Sequence, residues 1–319
     1  MIVQLANHLW QCSLFAIAAA LLSLAFRANR AGVRYALWLA ASLKFLVPFS
    51  LLMALGAEFD WKPAAQQTAA GAPSRDALLT IEQIGQPFAA PTAPRMPHTD
   101  LLPYTLGAAW LSGFLALTCL RYRAWKGIRA TARRSRPLAM PLPVEARLSS
   151  TLLEPGVVGI LHPILLLPEG VVERLAPSEF EAVIAHELCH VRRRDNLWAA
   201  MHMLVEALFW FYPPVWWIGA RLVDERERAC DEDVLRLGNR PEVYAGAILN
   251  VCKLYAESPL PLVSSVTGAD IGRRIEQILS GRAAHALTFW KKAALWAAAA
   301  ASLALPILIG ALNTPAARA

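Results

Sequence analysis

The chain has 319 residues, of which 56% are hydrophobic and 17% charged, with a net charge of +7. So apolar a balance excludes an ordinary water-soluble domain of this size and puts a membrane protein first. Five cysteines, an odd count with no CxxC spacing, exclude a disulfide framework, and thiols on the cytoplasmic side stay reduced.

A bilayer core about 30 Å thick takes roughly 20 apolar residues per helical span, and four stretches qualify: 8–27, 34–56, 102–120 and 293–312. The first is uncharged from Leu9 to Phe26 and lacks the basic start and small-residue cleavage pattern of a signal peptide, so it reads as a permanent span. The second contains Lys44, which is costly in hydrocarbon and should face neighbouring helices or snorkel. Segment 57–100, in a region with seven prolines from Pro63 to Pro103, has little apolar periodicity and reads as a flexible extracytoplasmic loop.

Basic residues cluster at Arg27, Arg30 and Arg34, along the run from Arg121 to Arg136, and at Lys291 and Lys292. The positive-inside rule makes all three positions cytoplasmic. The expected topology is a multi-pass protein of the inner (cytoplasmic) membrane with both termini outside. Its parts are two spans in 1–56, an outer loop at 57–100, a third span at 101–120, a cytoplasmic domain at 121–292, and a fourth span with a short outer tail at 293–319. Juxtamembrane arginines of this kind set topology and meet lipid headgroups, so direct nucleic-acid binding is not expected.

Inside 121–292, Val157–Leu161 and Ile164–Leu167 are short β-prone runs broken by His162–Pro163. A helix then starts at Pro177, with Ser178 and Glu181 spaced as a capping box. Amphipathic helices are expected at 221–236, 241–256 and 270–280, which makes the section a small, mostly helical α+β domain.

The helix starting at Pro177 carries His186-Glu187-Leu188-Cys189-His190, an HExxH motif. Helical i, i+4 spacing puts both imidazoles on one face, converging on one Zn2+, with Glu187 able to reach a water on it. A catalytic zinc needs a third protein ligand and an open position. Glu227 and Asp231, also i and i+4, share a face of a later helix, so that one can bind metal while the other orients a ligand histidine. Glu225 lies about 160° around that helix from Glu227 and reads as solvated. Cys189 and Cys230 read as small buried residues. No residue stands out for stabilising an oxyanion; Tyr244 is merely the nearest tyrosine downstream.

The segments AVIAHELCHVRRRDNL at 182–197, FWFYPPVWW at 209–217 and DERERACDEDVL at 224–235 resemble the membrane metallopeptidases of the BlaR/MecR antirepressor family. GILHPILLLP at 159–168 is similar to that family's strand region. The resemblance implies four transmembrane helices with a cytoplasmic α+β zincin-like (gluzincin) domain between the third and fourth. It implies His186, His190 and Glu227 as zinc ligands, Glu187 as catalytic acid/base, and Asp231 as a carboxylate behind the ligands. It also implies signalling by proteolysis, with a cytoplasmic winged-helix repressor, the chain itself, or both as substrate. Membrane lipid is a further partner, and a homodimer stays open. Antibiotic-sensing members carry a penicillin-binding domain after the last span, whereas Asn313–Ala319 follow it here, so a signal is expected through the spans, the 57–100 loop or a partner. The Arg273–Arg274 pair is one conceivable self-cleavage point.

Residues 198–222 are apolar enough to count as a span, yet crossing there would put Glu227 and His186 on opposite sides. Pro213–Pro214 breaks any straight helix, so a bent hairpin dipping into the cytoplasmic leaflet is expected. Arg192, Arg193 and Arg194 argue against a site deep in lipid, as in intramembrane proteases. Two other functions compete: a housekeeping membrane protease of the HtpX/CAAX type, and a non-catalytic receptor or scaffold with structural zinc.

Overall fold

The computed structural model describes residues 2–58, 87–88, 101–150, 154–256, 268–280 and 285–312. Most of the loop expected at 57–100, and all of the tail Asn313–Ala319, lie outside the described residues.

In chain order the elements are α1 (Ile2–Ala25), α2 (Ala31–Lys44), α3 (Phe49–Glu58), α4 (Leu102–Arg134), β1 (Arg136–Leu138), β2 (Glu145–Ser149), β3 (Gly156–Val158) and β4 (Ile164–Pro168). There follow α5 (Val171–Arg174), α6 (Pro177–Arg193), α7 (Asp195–Leu208), α8 (Pro213–Arg236), α9 (Pro241–Ala256), α10 (Gly268–Leu279) and α11 (Phe289–Leu312). The protein is mainly helical. Helices α1, α4 and α11 are each long and apolar enough to cross a membrane.

The second expected span, 34–56, is not one straight helix. It breaks ahead of Pro48, whose ring removes a backbone donor, and α2 and α3 are bent by 71° across the break. Third-span residues 102–120 form only the first part of α4, which runs 33 residues and carries the basic run onward as helix.

The chain divides into two compact units. In the first, made of 1–25, 40–101 and 286–319, α3 packs tightly on α11. A Cβ at Gly56 would strike the Ile307 carbonyl and one at Gly310 the Met53 carbonyl, so the two backbones touch where only glycine leaves room. Lys44 is turned inward, its ammonium donating to the Val47 carbonyl at 3.1 Å and lying 4.3 Å from the Phe49 ring centroid.

The second unit, residues 26–39 and 102–285, contains the chemistry. Its four-stranded sheet has the order β1-β2-β4-β3, with β2 and β4 parallel and the outer pairs antiparallel. Strands β1 and β2 went unseen in the sequence; β1 sits at the sheet edge, where Pro137 is tolerated because an edge strand has N–H groups to spare. Helix α6 is sandwiched: Ile184 packs on Ala146, Leu165 and Leu167 of the sheet, while Ala182 on its other side packs with Val234, Tyr244, Ala245 and Ile278. Burial on both faces fixes its axis and leaves the intervening stripe free for polar work.

The start of α6 differs from the expected capping box. Pro177 occupies the first helical turn, Ala176 is the cap residue, and the Glu179 carboxylate accepts its N–H at 3.0 Å. The helix begins at Pro177 as expected, and because proline's fixed φ favours that first position the cap is Ala176 and not Ser178.

The hairpin expected at 198–222 is two helices, α7 and α8, joined through Phe209–Tyr212, with Pro213–Pro214 opening α8. The helices meet at Gly219, where a Cβ would lie 2.6 Å from His202 Nε2 and 2.9 Å from Glu206 Oε1.

Glu225 is not solvated. It is 5% exposed and accepts from Arg34 Nε at 2.8 Å, while Glu232 accepts the Ala31 N–H at 3.0 and 3.1 Å. The first turns of α2 thus lie against the face of α8 that helical spacing alone assigned to water. Trp38 meets Trp217 edge-on at 4.9 Å, and the Arg193 guanidinium sits 5.0 Å from the Tyr35 ring centroid.

Candidate metal centre

Helix α6 delivers His186 and His190 one turn apart, with rings edge-to-face and Nε2 atoms 3.2 Å apart. Helix α8 brings Glu227 to them: its Oε2 lies 3.4 Å from His186 Nε2 and its Oε1 3.9 Å from His190 Nε2. The three donor atoms fall within 4.8 Å of one another, so a single cation could touch all of them. Two imidazole nitrogens and one carboxylate oxygen form a donor set suited to zinc.

The far sides of both rings are held. Beyond the helix end, Arg194 adopts a left-handed backbone with φ of 55°, and this reversal aims the first residue of α7, Asp195, back at His190. Asp195 is 1% exposed and accepts from His190 Nδ1 at 2.7 Å. His186 Nδ1 lies 2.8 Å from the Tyr244 hydroxyl, which donates onward to Asp231 Oδ1 at 2.5 Å. With Nδ1 protonated in each ring, both Nε2 lone pairs face the shared space.

Asp231 is also forked by Arg274, with Nε at 2.8 Å and Nη2 at 2.7 Å. Glu227 Oε1 takes Arg226 Nε at 3.1 Å and Nη2 at 3.0 Å. Cys189 and Cys230 are buried, as the sequence suggested, but neither is an inert filler. Cys189 Sγ donates to Asp233 at 3.2 Å, and Cys230 Sγ lies 3.4 Å from His190 Nδ1. His190, Asp195 and Cys230 also converge, on the ring nitrogen that already bonds Asp195 at 2.7 Å.

The electrostatics sort these groups. Burial pushes the Glu187 carboxyl up and outweighs the neighbouring histidines, so this side chain takes a proton more readily than a free carboxylate does. Burial alone would push His186 down, but hydrogen bonding to Asp231 and Glu227 wins and raises it to about 10. Carboxylates that attract a proton so strongly attract a divalent cation by the same field. Burial works against ionised Asp231, yet its bond to His186 and the Arg274 charge hold it at about 2. Glu227 too is held well below the usual carboxylate range, chiefly by His186 against the effect of burial.

The structure therefore brings together His186, Glu187, His190, Glu227 and Asp231. Sequence reasoning missed Asp195 and Arg274 and gave no reason to choose Tyr244. Asp195 had a local signal, an acid five residues after the second histidine; Tyr244 and Arg274 reach His186 across 58 and 88 residues and had none.

The family described as BlaR1 peptidase M56 matches residues 7–278. The methicillin resistance mecR1 protein of Staphylococcus aureus is 33% identical over 94 residues, 30% of this chain and 16% of the relative. The regulatory protein BlaR1 of Bacillus licheniformis is 31% identical over 88 residues, 28% of this chain and 14% of the relative. The chain thus spans about 14–16% of the length of these relatives in the matched region.

Proposed function

The chain belongs to the BlaR1 peptidase M56 family, and from that premise we propose that it is a membrane-embedded zinc-dependent endopeptidase acting in regulatory proteolysis. The observation that carries this reading is the convergence of His186, His190 and Glu227 beside a buried Glu187 whose carboxyl is pushed up. His186 Nε2, His190 Nε2 and Glu227 would hold the zinc. The metal, when bound, supplies a water of lowered pKa and polarises the scissile carbonyl.

The chain's own residues do the rest. Glu187 takes a proton from the attacking water and hands it to the leaving amide nitrogen as the C–N bond breaks. Asp195 fixes the His190 ring, and the Tyr244–Asp231 pair fixes that of His186, so that neither spends binding energy finding its orientation. Arg226 holds the Glu227 carboxylate.

We further infer a zincin-like (gluzincin) α+β arrangement in the 121–292 domain, four spans, both termini outside and the site at the cytoplasmic face of the inner membrane. The charge asymmetry and the pairing of α2 with α3 as one broken span support this. The substrate is a cytoplasmic repressor of winged-helix type, the chain itself, or both. This rests on the regulatory role in the name of the relative, regulatory protein BlaR1. Arg273–Arg274 lies inside α10, so cutting there would require that helix to unwind. The contact with α2 also fits a signal entering through the spans.

Zinc content and cleavage measured side by side on detergent-purified wild type and Glu187→Gln test the reading. We expect one zinc per chain in both, with peptide cleavage lower by roughly 10²–10⁴-fold in the variant, the range for loss of a general base. Equal cleavage by the two proteins, or no zinc in wild type, would overturn it.

A further inference from the structure

The arginine on α10 has a spare face at the centre. The Arg274 fork spends Nε and Nη2 on Asp231, and Nη2 also lies 3.4 Å from both His186 Nε2 and the Tyr244 hydroxyl. Nη1 sits 3.8 Å from Glu227 Oε2, too far for a hydrogen bond, and makes none among the described residues. Two N–H donors are therefore left over, beside the same Nε2 and carboxylate atoms that converge on the cation position. The side chain as a whole is 30% exposed, so it is not sealed off from an incoming group.

Two alternatives for the same task fit less well. The Tyr244 hydroxyl donates to Asp231 and lies on the Nδ1 side of His186, away from the converging Nε2 atoms; the residue is 1% exposed. Arg226 is engaged with Glu227 Oε1 through two nitrogens.

We propose that Arg274 is a catalytic residue whose Nη1 face binds the carbonyl oxygen of the bond being cut. This rests on the peptidase reading above. As the water oxygen adds to the carbonyl carbon, one proton passes to Glu187, and the C=O electron pair moves onto oxygen. Nη1 donates to that oxyanion; the pair returns as the C–N bond breaks and Glu187 protonates the amine. A fixed cation beside developing charge, in a site largely shielded from water, needs no reorganisation during the step. The Asp231 fork supplies the fixing, which explains why a carboxylate behind the ligands is itself ion-paired.

The test uses full-length Arg274→Ala and Arg274→Lys, with Arg273→Ala as control, in detergent. Zinc stoichiometry, casein hydrolysis and binding of a phosphinic peptide, a tetrahedral anion resembling the adduct, are measured on each. Arg274→Ala should keep its zinc, lose kcat by roughly 10²–10³-fold with little change in KM, and bind the phosphinic peptide correspondingly less tightly. Arg274→Lys should recover part of the rate, and added guanidinium should partly rescue Arg274→Ala. Unchanged kcat in Arg274→Ala overturns the inference, as does loss of zinc without guanidinium rescue, which would make Arg274 a positioning residue acting through Asp231. Wild type lacking both zinc and activity would instead overturn the peptidase reading beneath it.

Discussion

Asp195 shows how much of the centre depends on a single carboxylate. Its contact with His190 Nδ1 at 2.7 Å selects the tautomer that leaves Nε2 free, and at 1% exposure water cannot replace it. Asp195→Asn keeps the shape but removes the charge, and it should weaken zinc binding by about 10–100-fold, read by competition with a chromogenic chelator. At this scale the HExxH motif was fully legible, because i, i+4 geometry is local and needs no tertiary knowledge. Glu225 was not. Its position on the wheel opposite Glu227 was right, but solvent was assumed there, whereas Arg34 lies there at 2.8 Å.

At the scale of elements, α8 is clamped from two sides: α6 meets the face carrying Glu227 and Asp231, and α2 meets the face carrying Glu225 and Glu232. Breaking a buried ion pair by removing one partner costs about 3–5 kcal/mol. Arg34→Ala should destabilise by somewhat less, because Arg228 Nη1 still lies 3.3 Å from the other Glu225 oxygen. Thermal denaturation in detergent checks this, and pairing Arg34→Met with Glu225→Leu should recover most of the loss. Helix positions were legible from apolar period and proline. The start of α6 at Pro177 was read correctly but its cap was not, because a serine beside a first-turn proline looks like a cap although Ala176 holds that place. The bend between α2 and α3 was hidden by continuous apolarity, which reports solubility in lipid and not straightness.

For the whole molecule, hydropathy made the membrane class plain, and family membership over residues 7–278 agrees with it. Orientation is testable directly. Single cysteines placed at 125 and 240 in a cysteine-free background should be labelled only after the membrane is opened, and one placed at 75 should react in intact cells. Residue 240 reacting from outside while residue 125 stays protected would separate Glu227 from His186 and sink the shared centre. What sequence could not reveal at this scale is that the unit holding the candidate centre is discontinuous, taking residues 26–39, the link after α1 and the first part of α2.

That discontinuity bears on how the unit holding the candidate centre can be handled and how it can evolve. A fragment starting at Leu102 would keep every residue touching the metal position and still lack one wall. Glu225 would face water without Arg34, and Glu232 would lose the Ala31 amide. Such a fragment is an incomplete fold rather than a released domain. The module is therefore not portable: any rearrangement that transplants it onto another membrane anchor must carry residues 26–39, the first part of α2 included, along with it.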